Sequence, residues 1–344
     1  MKSIVFVQTA FIGDLFLSLP TLNRIRSLYP SYRLVLVCKK GLSDYFVKNK
    51  IVDQAYEVEK GDRQSYKSAL DQINHLSVEY VFCVHKSLRS ALFVRQIKAN
   101  YKIGFSRFLS TLFFSDTVDY IKKYPDVIRQ LNILSTVDQA LSYEITKKDW
   151  TYLNFFDDQK NKFSEIPDPF QFNYKNKSNK SRKVGIFPGS VWATKKWTVS
   201  GFSDVVRFLI ENKYEVFLMG APAEKNICDQ IHARNPDCLN LAGQLKLAES
   251  IQKISDFDFI VCNDSAPAHM AASQGIPSVV IFGPTTLDLG FRPWHDLSVV
   301  VENKKIDCRP CGAHGPMVCP LKHHNCMNSI TAQDVISHLQ YLLN

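Results

Sequence analysis

Short apolar runs recur along the first half of the chain, each followed by a segment of helical period. "SIVFVQ" (3–8), "RLVLVC" (33–38) and "EYVFCVH" (79–85) predict buried strands, and 15–29, 63–76 and 88–98 predict helices between them. Strands alternating with helices imply βαβ units and a parallel sheet. The pattern breaks at 157–183, where Lys, Asn, Ser and two prolines dominate, as in a linker or long surface loop. It then restarts. "KVGIFPGS" (183–190), "YEVFLMG" (214–220), "DFIVCND" (258–264) and "PSVVIFGPT" (277–285) predict strands ending in Gly or an acid. Helices are expected at 201–212, from Ser265 to Gly275 and over about 331–343.

The fold class is therefore α/β, as two doubly wound domains, 1–156 and 184–344, joined by the linker 157–183 and facing each other across a cleft. A length of 344 residues suits two cores better than one. Ligands of such sheets bind at the carboxyl ends of strands, where every Gly or acidic loop above lies.

The stretch "FVQTAFIGDLFLSLP" (6–20) places one acid, Asp14, in an almost wholly apolar run. As a signal peptide it fails: Gln8, Thr9 and Asp14 interrupt the apolar core and no small-residue cleavage site follows. No run reaches the ~18 apolar residues of a membrane span, so a cytoplasmic protein is the expectation. Cys38, Cys83, Cys228, Cys238 and Cys262 are scattered, several in strand-like runs, and read as buried free thiols of a reducing compartment. The net charge of +9 is uneven: residues 1–150 hold 22 Lys+Arg against 14 Asp+Glu, and the remainder 20 against 19. That excess suits an anionic partner for the first half, or else a solvated basic face.

Three loops carry candidate chemistry. In "FPGSVWATKKW" (187–197), Gly189 lets backbone approach a ligand, Ser190 offers a hydroxyl, and Lys195 and Lys196 offer charge to phosphate. The Walker spacing is absent. In "NDSAPAHMAA" (263–272), Asp264 and Ser265 stand where a strand becomes a helix; Ser265 is a fitting N-cap, and the free N–H groups of residues 265–268 make an anion site. His269 follows one turn on. Glu224, after "LMGAPA", stands where a carboxylate commonly meets a ribose. Each has a plain structural alternative: a turn with solvent lysines, a capped helix, a first-turn acid. Together they suit a nucleotide diphosphate in the second half, an anionic acceptor in the first, and Asp14 as a base or a helix cap.

"IGDLFLSLP", "PGS-W-TKKW", "MGAPAEK", "NDSAPAHMAA" and "FGPT", in this order, resemble the ADP-heptose:lipopolysaccharide heptosyltransferases, glycosyltransferase family 9, over nearly the whole chain. The resemblance implies the GT-B fold, with two Rossmann-like domains and the donor mainly in the C-terminal one. It implies inverting transfer of heptose from ADP-L-glycero-D-manno-heptose to the lipopolysaccharide inner core, with Kdo-lipid A as acceptor and the protein peripheral at the cytoplasmic face of the inner membrane. Asp14, beside Gly13, matches the family's general base. Lys195 matches the lysine that neutralises donor phosphate, and Glu224 the ribose ligand. Asp264, Ser265, Ala266 and His269 match the donor element, with Ala266 where many members have Gly. The "NDSAPAH" form favours the second heptosyltransferase. Lys86, Arg89 and Arg107 are candidates for the acceptor's phosphates and carboxylates. No Asp-x-Asp motif ends a strand, so no divalent cofactor is expected. Alternatives are a GT-B-like nucleotide-sugar epimerase or hydrolase, transfer to another glycan or to protein, and nucleic-acid binding. The last has no motif or aromatic-interleaved basic stripe in its favour.

Cys308-x2-Cys311-x7-Cys319-x6-Cys326, with His314, His323 and His324 nearby, contains a zinc-ligand pair spacing, and four thiolates would close a structural site. Free thiols or a redox-dependent disulfide are the alternatives.

Overall fold

The structure, a computed structural model, describes residues 1–150 and 182–343. These form two compact units, 1–150 and 182–343. The predicted linker, 157–183, lies outside the described residues except for Arg182 and Lys183, and Lys183 already opens a strand.

The first unit carries β1 (Lys2–Gln8), β2 (Arg33–Lys39), β3 (Gln54–Val58), β4 (Ser77–Cys83), β5 (Ala99–Phe105) and β6 (Asp116–Val118). Their order is β3-β2-β1-β4-β5-β6, all parallel. Between and after them run α1 (Ile12–Leu17), α2 (Leu19–Leu28), α3 (Ser43–Lys48), α4 (Arg63–Asn74), α5 (Leu88–Gln96), α6 (Asp126–Leu131) and α7 (Gln139–Lys147). The second unit carries β7 (Lys183–Phe187), β8 (Glu215–Leu218), β9 (Leu239–Asn240), β10 (Phe259–Asn263), β11 (Ser278–Phe282) and β12 (Val299–Glu302). Their order, β12-β11-β10-β7-β8-β9, is again all parallel. Its helices are α8 (Val199–Glu211), α9 (Lys225–Arg234), α10 (Leu247–Ile254), α11 (Ala266–Ser273), α12 (Asn325–Asn328) and α13 (Ala332–Leu343). Both sheets share one plan. The first and fourth strands of each unit are central neighbours, and the winding reverses between them. A doubly wound sheet opens its ligand crevice at that switch point, beyond the carboxyl ends.

Helices cover both faces of such a sheet, which is why its strands are unbroken apolar runs. Val5, Val7, Val35, Val37 and Val81 pack with Ala69 and Ile73 of α4 and Phe93 and Val94 of α5. In the second unit α8 lays Phe202, Val205, Val206 and Leu209, at i, i+3, i+4 and i+7, into the core around Val184, Ile186 and Val261.

The helix predicted over 15–29 is two, α1 and α2, with Ser18 as end and start. Pro20 has no N–H to extend the ladder and is accommodated only in a first turn. The first helix also starts earlier than predicted, at Ile12, so Asp14 stands inside α1 rather than before it.

Candidate active site

In the second unit the loops leaving β7 and β10 carry the motif residues. Asp264 directly follows β10, and its Oδ2 accepts from Lys195 Nζ at 2.6 Å and from Thr285 Oγ1 at 2.5 Å. Lys195 is 9% exposed and Asp264 5%. At that depth each charge is tolerated because the other is there. Asn263, wholly buried at the end of β10, donates through Nδ2 to the carbonyls of Pro188 (2.8 Å) and Gly189 (3.3 Å). Its Oδ1 accepts from the Trp197 N–H at 3.0 Å. One amide therefore fixes both the glycine loop and the lysine turn beside Asp264.

At Gly189 a Cβ would stand 1.9 Å from Glu224 Oε1, so only glycine lets that carboxylate lie against the loop. Glu224 Oε2 accepts from the Ala221 N–H at 2.8 Å, which holds the side chain at the start of α9. Ser190 Oγ accepts from the Trp192 N–H at 3.3 Å. Ser265 is the N-cap of α11, but the expected cap bond does not form. The extended backbone of Ser265 turns its hydroxyl back to donate to the Asn263 carbonyl at 3.2 Å. The Ala266 N–H is thus not taken by this side chain; Pro267 has no N–H, and the Ala268 N–H donates to the Ser265 carbonyl at 3.2 Å. His269 is buried one turn in.

In the first unit Gly13 and Asp14 are the second and third residues of α1, just beyond β1. Asp14 Oδ2 accepts from the Phe11 N–H at 3.2 Å, so the acid caps by reaching back from within the helix. Its carbonyl accepts from Ser18 Oγ (3.0 Å) and Gln130 Nε2 (3.1 Å). Gln130, buried on α6, also donates to Asp126 Oδ2 at 2.7 Å and accepts from Ser18 Oγ at 2.5 Å. One glutamine ties α6 to the turn carrying Asp14. Across the switch point, after β4, His85 Nδ1 lies 2.8 Å from Thr9 Oγ1 and 3.0 Å from Ser90 Oγ. Burial, with Arg89 and Lys86 near, pulls His85 below the usual imidazole range. Lys86 Nζ stands 3.1 Å from the Tyr120 ring centroid, and Arg107 donates to the Lys86 carbonyl. Burial first, then Arg129, Arg107 and Lys122, lower the Lys86 pKa to about 8 against the pull of Asp126.

The family model for glycosyltransferase family 9 (heptosyltransferase) matches residues 71–321. The chain belongs to this family. It is a glycosyltransferase. It is 24% identical to lipooligosaccharide heptosyltransferase 2 of Campylobacter jejuni, over 100% of this chain and 98% of that protein. Among solved structures it resembles a family 9 glycosyltransferase from Veillonella parvula (TM-score 0.77, 18% identity, 99% and 97% of the two chains covered). It also resembles E. coli ADP-heptose lipopolysaccharide heptosyltransferase II (TM-score 0.74, 20% identity, 99% and 98% covered). The fold is the family's GT-B class, with two Rossmann-like domains.

Within this glycosyltransferase, Lys195, Asp264 and Thr285 converge, and Gly189 meets Glu224. Ala266 opens α11. Gly13 and Asp14 stand at the first unit's own switch point. Lys86 and Arg107 touch, whereas Arg89 lines a groove between α4 and α5. The sequence assigns no role to Thr285, Asn263, Gln130 or His85; all but Gln130 lie within the runs that predict strands.

The Cys-rich segment braces the lysine turn. Thr194 Oγ1 donates to the Pro316 carbonyl at 2.5 Å, and His324 Nε2 donates to the Thr194 carbonyl at 2.6 Å. The Cys311 N–H donates to the Pro284 carbonyl at 2.7 Å, and Arg309 Nη2 to that of Thr285 at 2.7 Å. Cys326 is buried in the core and its thiol is pushed up to about 11, chiefly by that burial. Among the described residues no group of three or more His, Cys, Asp or Glu is set to hold a metal ion. His324 Nε2 is committed to the Thr194 carbonyl. The five scattered cysteines are buried free thiols.

Proposed function

We propose that this glycosyltransferase moves heptose from ADP-heptose to the lipopolysaccharide inner core, with inversion at the anomeric carbon. The observation that carries the reading is the Lys195–Asp264–Thr285 cluster beside the start of α11, in a chain whose relatives are named heptosyltransferases. Asp14 takes the proton of an acceptor hydroxyl. The resulting oxygen attacks C1 of the heptose, and the bond from C1 to the β-phosphate oxygen of ADP breaks. A positioned base contributes about 10²–10⁴-fold to such a step. Lys195 and the N–H at the start of α11 meet the charge that develops on the leaving diphosphate. Glu224 holds the ribose, and Gly189, Ser190, Asp264, Ser265, Ala266 and His269 shape the donor site. Lys86, Arg89 and Arg107 receive acceptor anions, the phosphates and carboxylates of Kdo-lipid A. The similarity to enzymes named heptosyltransferase 2 favours a monoheptosylated acceptor.

The test compares turnover of ADP-L-glycero-β-D-manno-heptose on Kdo₂-lipid A and on its monoheptosylated form, for the native chain and Asp14→Asn. Transfer to one acceptor, lost in the variant while ADP still binds, is the expected result. Full activity in Asp14→Asn would leave Asp14 a helix cap. No transfer to either acceptor would sink the substrate assignment.

A further inference from the structure

The Cys-rich segment does more than brace the lysine turn: it sets one imidazole beside it. Thr194 Oγ1 donates to the Pro316 carbonyl and the Cys311 N–H to that of Pro284, so residues 311–316 are tied to the two loops that supply Lys195 and Thr285. Between these ties Gly315 is buried with φ +72°, and a Cβ there would stand 2.8 Å from Pro284 Cγ and 3.1 Å from Thr194 Oγ1. Glycine alone takes that backbone in that space without strain. The residue before it is His314. It is exposed, with one face of its ring laid on Trp192, the centroids 5.8 Å apart and the planes 7° from parallel. Trp192 itself opens the lysine turn, since its carbonyl accepts from the Lys195 N–H at 3.0 Å. A parallel stack leaves the imidazole nitrogens at the ring edge, and among the described residues no hydrogen bond takes either.

The ring also lies within the field of the Lys195–Asp264 pair. Partial burial first, then the Lys195 ammonium, hold its pKa below the usual imidazole range, against the pull of Asp264. A neutral imidazole stands beside a cation without repelling it, and it still carries one N–H donor. The donors already named for a diphosphate are Lys195 and the N–H that opens α11. Pro267 and the bond made by the Ala268 N–H remove the next two. We infer that His314 is a further phosphate ligand of this glycosyltransferase, donating its ring N–H to the β-phosphate of a nucleoside diphosphate held by Lys195. The inference rests on the proposed donor site and assigns neither sugar nor acceptor. Trp192 then sets the plane of the ring, so the donor is aimed before the ligand arrives. As the bond from C1 to the β-phosphate oxygen breaks, charge gathers on the group that His314 meets, and a fixed donor there favours departure.

Two substitutions separate the donor from the stack. His314→Phe keeps an aromatic ring on Trp192 and removes the N–H, whereas His314→Gln keeps an N–H and removes the ring. The measurement is calorimetric titration of the full chain with ADP and with AMP, because ADP alone carries a β-phosphate. In His314→Phe the ADP affinity falls about tenfold or more, the worth of a hydrogen bond to a charged group, while AMP affinity and the unfolding midpoint stay at native values. His314→Gln retains part of the ADP affinity. In turnover, His314→Phe lowers kcat about 10²-fold. Native ADP affinity in His314→Phe would overturn the inference, as would a loss shared equally by ADP and AMP. A native chain that binds neither nucleotide would remove the donor site itself. If the loss is confined to ADP but no heptose moves in the native chain, His314 stands as a phosphate ligand and the substrate assignment falls. If heptose moves as fast in His314→Phe as in the native chain, the reaction stands and His314 is a packing residue.

Discussion

Lys195→Met separates a structural ion pair with Asp264 from the phosphate-binding role proposed for Lys195. The lysine and the aspartate are 2.6 Å apart, with side chains 11% and 7% exposed. Met keeps most of the volume and removes the charge. Asp264 then retains Thr285 as donor, at 2.5 Å, but is a buried carboxylate without its cation. Removing one partner of a buried pair costs about 3–5 kcal/mol. For a unit of this size that is ~2–4 °C per kcal/mol, or roughly 6–20 °C off the second unit's midpoint in scanning calorimetry. Lys195→Met/Asp264→Asn removes the stranded charge and keeps the Thr285 bond, so at least half of the lost stability returns. Activity separates the two roles. Turnover falls about 10²–10³-fold in Lys195→Met and does not return in the double variant, because the leaving diphosphate still lacks its cation. A single variant melting within about 1 °C of the native chain would refute the buried-pair reasoning. So would a double variant no more stable than the single one.

Gln130→Leu keeps the packing but leaves the Asp14 carbonyl and the Asp126 carboxylate without the amide donor at 3.1 and 2.7 Å. Stability falls by about 1–3 kcal/mol and kcat falls while the donor KM holds; unchanged steady-state constants would remove Gln130 from the positioning of Asp14. Lys86 has its pKa lowered to about 8 from 10.5, so its charge is lost as pH rises through about 8. The acceptor KM therefore rises across that pH while the donor KM does not, and Lys86→Met abolishes the step. Stability moves the other way: between about 8 and 10.5 the unfolded chain binds more protons, so raising pH stabilises the fold. His295 is wholly buried, accepts the Leu297 N–H on Nδ1 at 3.1 Å and has its pKa lowered from 6.5 to about 4, mainly by burial. Its stabilising contribution is complete above 6.5 and is lost as pH falls toward 4, on the order of 3 kcal/mol. His295→Gln flattens that part of the acid unfolding curve, which calorimetry at stepped pH will show.

The central strands are legible because parallel strands covered on both faces must be apolar throughout, and their ends because Gly or an acid stops each run. The edges are not. β3 reads "QAYEV", half polar, and β9 is Leu239–Asn240, too short for any period. Both lie at sheet margins, where one side of the strand meets solvent. The motif residues are readable in their loops, but their partners are not. Gln130 and Asp14 are 116 positions apart. The helix that carries Gln130 buries Asp126, Arg129 and Gln130 together, so its sequence looks like a solvent face. The fate of the Ser265 cap is equally hidden, because the propensity of serine at N-cap does not say which way an extended residue turns its hydroxyl.

On the proposed reading Asp264 is a carboxylate in a phosphate site, which needs a physical reason, and the cluster supplies one. Asp264 cancels much of the field of Lys195, so a diphosphate in its ground state gains little from the pair at long range. What Asp264 gives instead is position: it holds Nζ at 2.6 Å, and Asn263 and Thr194 hold the turn that carries it. The ammonium has three donors, of which Asp264 Oδ2 takes one. On the proposed reading the remaining donors and the N–H that opens α11 are already oriented when the sugar–phosphate bond stretches, and they need no reorganisation as charge builds on the leaving oxygen. Donors fixed in this way favour the transition state over the bound donor. A lone lysine on the same loop would bind the nucleotide more tightly and assist its departure less. The bracing by Thr194, His324 and Arg309 then has a purpose beyond stability, since a fixed donor set is only as accurate as the loops that hold it.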